Sequence, residues 1–123
     1  MGSDGEAMQK GSGAEEFVAR ALKAKGWKVL ARNFRRVGTE IDIIAHKGRT
    51  LIFVEVKERQ SFPCTGRDLE QLLPSRKRHA LQRGAVCFLS WDRSLPTWDY
   101  SRLDLAIVSR AKGQRVIRYW VGV

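Results

Sequence analysis

Cysteine, histidine and acidic residues are scarce in this chain, and each shortage removes a class of protein. Among its 123 residues are two cysteines, Cys64 and Cys87, and two histidines, His46 and His79. Two cysteines build no disulfide framework. The four residues show no CxxC or HxxxH spacing, which argues against structural zinc. No apolar run approaches the ~18 residues of a membrane span, so no membrane partner is expected. The opening MGSDGEAMQKGSG is polar and Gly-rich and lacks the apolar core of a secretory signal. A reducing cytoplasm is the expected compartment. Asp and Glu total 13 against 23 Lys and Arg, a net charge of +10. That excess suits a polyanion, because neutralised phosphates release counterions.

The length points to a single domain, since domains average ~150 residues. Hydrophobic residues make up 43%, too many for a wholly disordered chain. Residues 1–11 read as a flexible tail, with one domain over 12–123. Ser12 to Gly26 reads as a helix, with Ser12 as N-cap and Gly26 as stop. Ala14, Phe17, Val18, Ala21 and Leu22 form its apolar face. Lys28 to Phe34 reads as a first strand. Glu40 to Ala45 and Thr50 to Lys57 read as a hairpin turned at His46-Lys47-Gly48-Arg49. A polar loop, Glu58 to Leu72, contains Pro63 and Gly66. A second helix opens at Pro74-Ser75 and runs to about Ser90, with Leu81, Ala85, Phe88 and Leu89 as its apolar face. Leu103 to Val108 and Arg115 to Val121 read as two strands turned at Lys112-Gly113. The order α-β-β-β-α-β-β predicts an α/β fold, a mixed central sheet flanked by helices.

Glu40, Asp42, Glu55 and Lys57 interrupt the two most apolar strands. Charges in a buried sheet are costly unless paired or bound to metal. A turn of two or four residues there sets Glu55 opposite Glu40, Phe53 opposite Asp42 and Lys57 opposite Gly38. Residues two apart share a face, so all four charges project from one side. Asp42 and Glu55 become diagonal neighbours, roughly 7–8 Å apart at the backbone. Clustered carboxylates repel one another, and a hard divalent cation such as Mg²⁺ or Mn²⁺ relieves that conflict. Lys57 beside such a site can position a water or counter charge on a phosphate. The same set also fits an ordinary cross-strand salt-bridge network. Glu15 lies on the apolar stripe of the first helix with Val18 and Leu22, while Glu16 faces outward. It reads either as part of the acidic centre or as a first-turn Glu favoured by the helix dipole. Lys77, aligned with Leu81 and Phe88, reads as a phosphate contact or as a side chain snorkelling from the core edge.

Basic residues flank this centre. Arg32, Arg35 and Arg36 precede the acidic strand, and Arg76, Lys77, Arg78, His79 and Arg83 cluster on the second helix. Two basic clusters around an acidic centre suit a phosphate backbone crossing a metal site. For the helix cluster, a solvated face is the plain alternative. No RNP motif, zinc finger or recognition-helix pattern occurs, so base-specific readout is not expected. Trp27 and Trp91 read as core or interface residues, and Trp98 as the tryptophan most open to a functional role. His46 reads as a turn residue, His79 as a helix-surface residue and Cys87 as a core residue.

The segments GSGAEEFVARALKAKGW, RNFRRVGTEIDIIA, FVEVKER and RLDLAIV occur in that order. Together they resemble the YraN family of endonuclease-like proteins in the PD-(D/E)XK superfamily. The resemblance covers about residues 11 to 110. It implies a restriction-endonuclease-like fold similar to Holliday junction resolvases. It assigns the catalytic pattern to Asp42, Glu55 and Lys57, and matches Glu15 and Glu40 to the family's further acidic positions. Arg59, Gly66 and Lys77 match positions in the loop and second helix, and Arg102 and Asp104 match its R-F-D segment. The family usually has Gly directly before the Glu; here Thr39 separates Gly38 from Glu40. The ending Tyr119 to Val123 also departs from the family pattern.

The resulting expectation is a metal-dependent nuclease hydrolysing phosphodiester bonds, in DNA rather than RNA and with branched or structured DNA in view. Asp42, Glu55 and the Val56 carbonyl are the expected ligands of Mg²⁺ or Mn²⁺, and Lys57 aids the attacking water. Glu15 and Glu40 tune the metal or bind it through water. Arg35, Arg36, Arg59, Arg76, Lys77 and Arg78 hold phosphates. A homodimer is expected if two strands are cut. The rival readings are a non-catalytic nucleic-acid-binding module of the same fold and, more weakly, a protein-interaction scaffold.

Overall fold

Three strands of this chain are apolar on both faces, which requires a layer on each side of the sheet. The computed structural model has that arrangement. It describes residues 2–36, 38–60, 70–91 and 97–123, with side chains from residue 13 onward. The elements are α1 (Gly2–Ala24), β1 (Lys28–Arg36), β2 (Thr39–Lys47), β3 (Thr50–Glu58), α2 (Ser75–Trp91), β4 (Tyr100–Ala111) and β5 (Gln114–Trp120). The sheet order is β1-β2-β3-β4-β5. Only β3 and β4 run parallel, joined by the crossover that contains α2; the other pairs are antiparallel. The expected element order and mixed α/β architecture are those observed, and they are compatible with a restriction-endonuclease-like fold.

Each helix covers one face. Val18, Ala19 and Leu22 of α1 pack on Ile43, Ala45, Ile52, Val54, Ala106 and Val108. Leu81 and Phe88 of α2 pack on Phe34, Ile41, Ile44, Phe53, Leu105 and Ile107. Phe88 meets Phe34 and Phe53 edge-on, with ring centroids 5.4 and 6.0 Å apart, the arrangement that aromatic quadrupoles favour.

The close seat of α2 depends on Gly84. A Cβ at that position would stand 2.7 Å from Thr39 Cγ2 and 3.1 Å from Ile41 Cδ1. Gly84→Ala adds ~1 kcal/mol of helix propensity, but overpacking typically costs ~1–3 kcal/mol. A net loss of roughly 1 kcal/mol is expected, read as a lower urea midpoint at unchanged slope. Thr39 thus has a packing role: it is buried, and its methyl meets the glycine of α2.

Several expectations are corrected. The first helix begins at Gly2 rather than Ser12. Extending an existing helix is far easier than nucleating one. Leu89 is exposed, and Gly84 takes its expected place on the buried face. Trp91 is 60% exposed rather than core. Trp98 is half-buried, with its ring 5.1 Å from that of His46. Cys87 packs half-buried against the α2-side core. Cys64, Pro63 and Gly66 lie outside the described residues.

The hairpin register also shifts. Lys47 pairs with Thr50 and Phe53 with Ile44, two positions from the expected pairing. The loop is the two residues Gly48-Arg49, with Gly48 at φ 59° in the first central position. Glycine alone adopts that conformation without cost, as in a type II′ turn. A shift of two preserves the facing that parity sets within β3, but in β2 Thr39 and Ile41 face α2 while Ile43 faces α1, so the expected common side of all four charges does not carry across Asp42.

Candidate active site

Asp42 sits where the sheet comes apart. Pairing of β2 with β3 ends at Ile43 and Val54. In place of a ladder bond, the Val56 N–H donates to Asp42 Oδ2 at 2.8 Å. On the other side, β1 pairs with β2 on both flanks of Asn33, but Asn33 and Asp42 do not pair. Asn33 has φ 53°, a left-handed conformation that asparagine tolerates better than most residues. Alternation breaks here as well. Ile41 packs on the α2 side, whereas Ile43 packs on the α1 side. The irregularity leaves Asp42 accessible to groups from α1, β2 and β3 together.

Glu15 of α1, Glu40 and Asp42 converge, each offering a carboxylate oxygen within 4.8 Å of the others. Oxygens sharing one Mg²⁺ at ~2.1 Å lie at most about 4.2 Å apart, so a small side-chain closure suffices for a common ion. The donor set is therefore suited to a hard divalent cation. Glu55 adjoins Asp42 from β3, and the two carboxyl groups are close enough to share a hydrogen bond. Glu55 is 5% exposed and pairs with Lys57 Nζ at 3.1 Å and with Lys77 Nζ at 3.7 Å.

Burial first, then the negative charge of Glu55, pushes Asp42 from 3.8 up to about 8, against the pull of the Val56 N–H. Glu15 is raised too, chiefly by burial, while hydrogen bonds from Asp42 and Asn33 and the charge of Arg32 oppose the rise. Glu16, turned outward as expected, is lowered by its hydrogen bonds with Arg20 and Arg32.

Not every expected residue belongs to this constellation. Arg35, Arg36, Arg76 and Lys77 line an open groove of about 860 Å³ that also includes Thr39, Glu40 and Pro74. Arg35 pairs with Glu40 at 2.9 Å, tying the groove to the acidic centre. Arg78 is half-buried, with Nη2 3.5 Å from the Leu73 carbonyl, and does not line the groove. A residue following Lys77 on a helix turns by about 100°, which carries Arg78 toward the core edge. Arg59 is exposed just beyond β3, its N–H on the Val108 carbonyl. Val56 contributes its N–H to Asp42.

Asn33 is the site residue that sequence reasoning missed. Its signal was an asparagine within the first strand, four residues after Val29. Arg102 and Asp104 form a separate structural hub. Asp104 is 1% exposed and accepts hydrogen bonds from Arg102 Nε, the Tyr119 hydroxyl and the Gly122 N–H. Burial pushes Tyr119 upward, with the Asp104 hydrogen bond adding to it. Asp104→Asn is expected to lower stability by about 2 kcal/mol in urea denaturation, because charge-assisted hydrogen bonds are weakened. The hub anchors β5 and does not line the groove.

The model of the "Uncharacterised protein family UPF0102" matches residues 14–108. Among curated relatives, a UPF0102 protein of Nitratidesulfovibrio vulgaris is 37% identical over 104 residues, covering 81% of this chain and 72% of the relative. One from Chlorobaculum tepidum is 36% identical over 109 residues, covering 88% and 81%. One from Methylorubrum populi is 37% identical over 100 residues, covering 81% and 76%.

Proposed function

Because the chain belongs to the UPF0102 family, the family of the YraN proteins with a general affiliation to the PD-(D/E)XK superfamily, we propose that it is a metal-dependent nuclease hydrolysing phosphodiester bonds in DNA. One observation carries this reading. Three carboxylates from α1 and β2 converge beside a Glu–Lys pair on β3, at the mouth of a groove lined by four basic side chains.

Asp42 touches both carboxylate groups, so it is the ligand common to any arrangement; Glu55 and the Val56 carbonyl on one side and Glu15 and Glu40 on the other supply the remaining donors. A bound Mg²⁺ or Mn²⁺ supplies charge neutralisation and polarises phosphate oxygens. The protein supplies the remaining elements. Arg35, Arg36, Arg76 and Lys77 hold the phosphate chain as point charges and forks. Lys57 donates hydrogen bonds to the attacking water and to the negative charge growing on the scissile phosphate. A water oxygen bonds to phosphorus, the ester P–O bond breaks, and the proton from water balances the charge on the leaving oxygen.

The test is a cleavage panel. End-labelled duplex, single-stranded, flap, junction and RNA substrates are incubated with Mg²⁺, Mn²⁺ or EDTA. Cutting should require metal and should fall about 10²-fold in Lys57→Ala. No cutting of any substrate by the unaltered protein defeats the reading. The paired state of Glu55, held by two lysines, favours a second reading, a non-catalytic module that binds nucleic acid. That reading expects salt-sensitive binding without turnover, unchanged in Asp42→Ala.

A further inference from the structure

We infer that Trp91, backed by Arg36, is a stacking platform for an unpaired base of the strand whose phosphates occupy the basic groove. This rests on the nucleic-acid reading of that groove and specifies a substrate with an unpaired segment. The α2 face turned to the sheet is completed by Leu81, Gly84 and Phe88. Trp91 lies one turn beyond, at the end of the helix, and remains 60% exposed. It is nevertheless held in place. Its ring lies 5.9 Å from Phe34, and the Arg36 guanidinium is 5.1 Å from its centroid and 5.3 Å from that of Phe34. A cation over an aromatic face fixes the indole and leaves most of its surface open.

Arg36 is also a wall of the basic groove. One residue therefore joins the indole to the phosphate track. Charge selects the occupant. The groove brings four basic side chains against the single carboxylate of Glu40, and the whole chain carries +10. A second copy would bring like charge to this face, whereas a nucleic-acid strand brings phosphates for the groove and a π-face for the indole. Duplex bases are already stacked and cannot use the platform without being opened.

The experiment measures fluorescence anisotropy of labelled single-stranded and blunt duplex DNA of equal length. It uses the full chain with Ca²⁺ replacing Mg²⁺, and it includes Trp91→Ala and Trp91→Phe. Stacking is sequence-tolerant and strong enough that Trp91→Ala should weaken single-strand binding about tenfold. Trp91→Phe should restore most of it, and duplex affinity should stay within about twofold of the unaltered protein. Unchanged single-strand affinity in Trp91→Ala overturns the platform, as does an equal loss on both substrates. The two readings separate cleanly. Cutting that persists with no Trp91 effect on binding defeats the platform alone. A Trp91-dependent preference for single strands in a protein that cuts nothing supports the platform and defeats the nuclease.

Discussion

Asp42→Asn is expected to lower metal-dependent cleavage by about 10³-fold while leaving DNA binding intact or slightly stronger. The effect should exceed that of any other single substitution because Asp42 is the carboxylate shared by both acidic groups. On the proposed function, removing its charge would withdraw a ligand of the divalent ion beside the scissile phosphate, and such electrostatic stabilisation is worth several kcal/mol of the barrier. The amide oxygen can still accept the Val56 N–H that Asp42 Oδ2 accepts at 2.8 Å, so the local fold should persist. Binding improves, if it changes, because one negative charge beside the groove is gone. Lys57→Ala should lose about 10²-fold in rate with metal affinity retained, since Lys57 acts on water and phosphate. Single-turnover cleavage with parallel binding curves measures both. Near-normal cutting by Asp42→Asn would remove Asp42 from the chemistry.

Metal affinity should rise steeply with pH below about 8, the value to which burial and the charge of Glu55 push Asp42. A divalent ion binds the ionised carboxylate, so each pH unit below that value costs about tenfold in apparent affinity. From pH 6 to pH 8 the gain is roughly 100-fold, with a plateau above. Stability of the metal-free protein runs the other way. At pH values between the ordinary carboxylate range and about 8, the folded chain keeps a proton on Asp42 that the unfolded chain releases. Proton uptake thus favours the folded state, and this contribution is lost as pH rises through about 8. Glu15, raised in the same direction, adds to the fall. Titration calorimetry with Mg²⁺ at pH 6, 7, 8 and 9, and thermal melts in EDTA over the same range, test both signs. Asp42→Asn should flatten the two profiles. A metal affinity independent of pH between 6 and 8 would contradict the buried, coupled state of this carboxylate.

Local patterns carried much of this protein. Apolar alternation and turn residues located the seven elements in order, because a buried strand and an amphipathic helix each impose their own period on side chains. The charges at 40, 42, 55 and 57 were conspicuous because acids and a lysine do not belong in a sheet centre without a partner. The facing of Glu55 and Lys57 was legible too, since parity sets it within β3 and the turn at Gly48-Arg49 moved the register by two; the break in alternation at Asp42 was not. Glu15 was separable from Glu16 by helical phase alone.

Other features required the assembled chain. Contact between α1 and the kink at Asp42 depends on Asn33 adopting φ 53° and on β2 being unpaired with β3 before Ile43; no spacing rule encodes a local break in pairing. Glu55 was expected beside the metal with Asp42; that its carboxylate also meets Lys57 on its own strand and Lys77 from α2 is an arrangement that spacing alone did not show. The tryptophans show the same division. Trp91 was read as a core or interface residue and Trp98 as the tryptophan most open to a functional role; Trp98 packs on His46, while Trp91 extends, mostly exposed, past the end of the α2 core contact. The sequence by itself determined which residues carry charge and the layered α/β class, because these follow from composition and short-range periodicity. Only the tertiary structure decided which carboxylates meet, which arginines face the groove and which indole stays open, because those depend on the distances between α1, β2, β3 and α2.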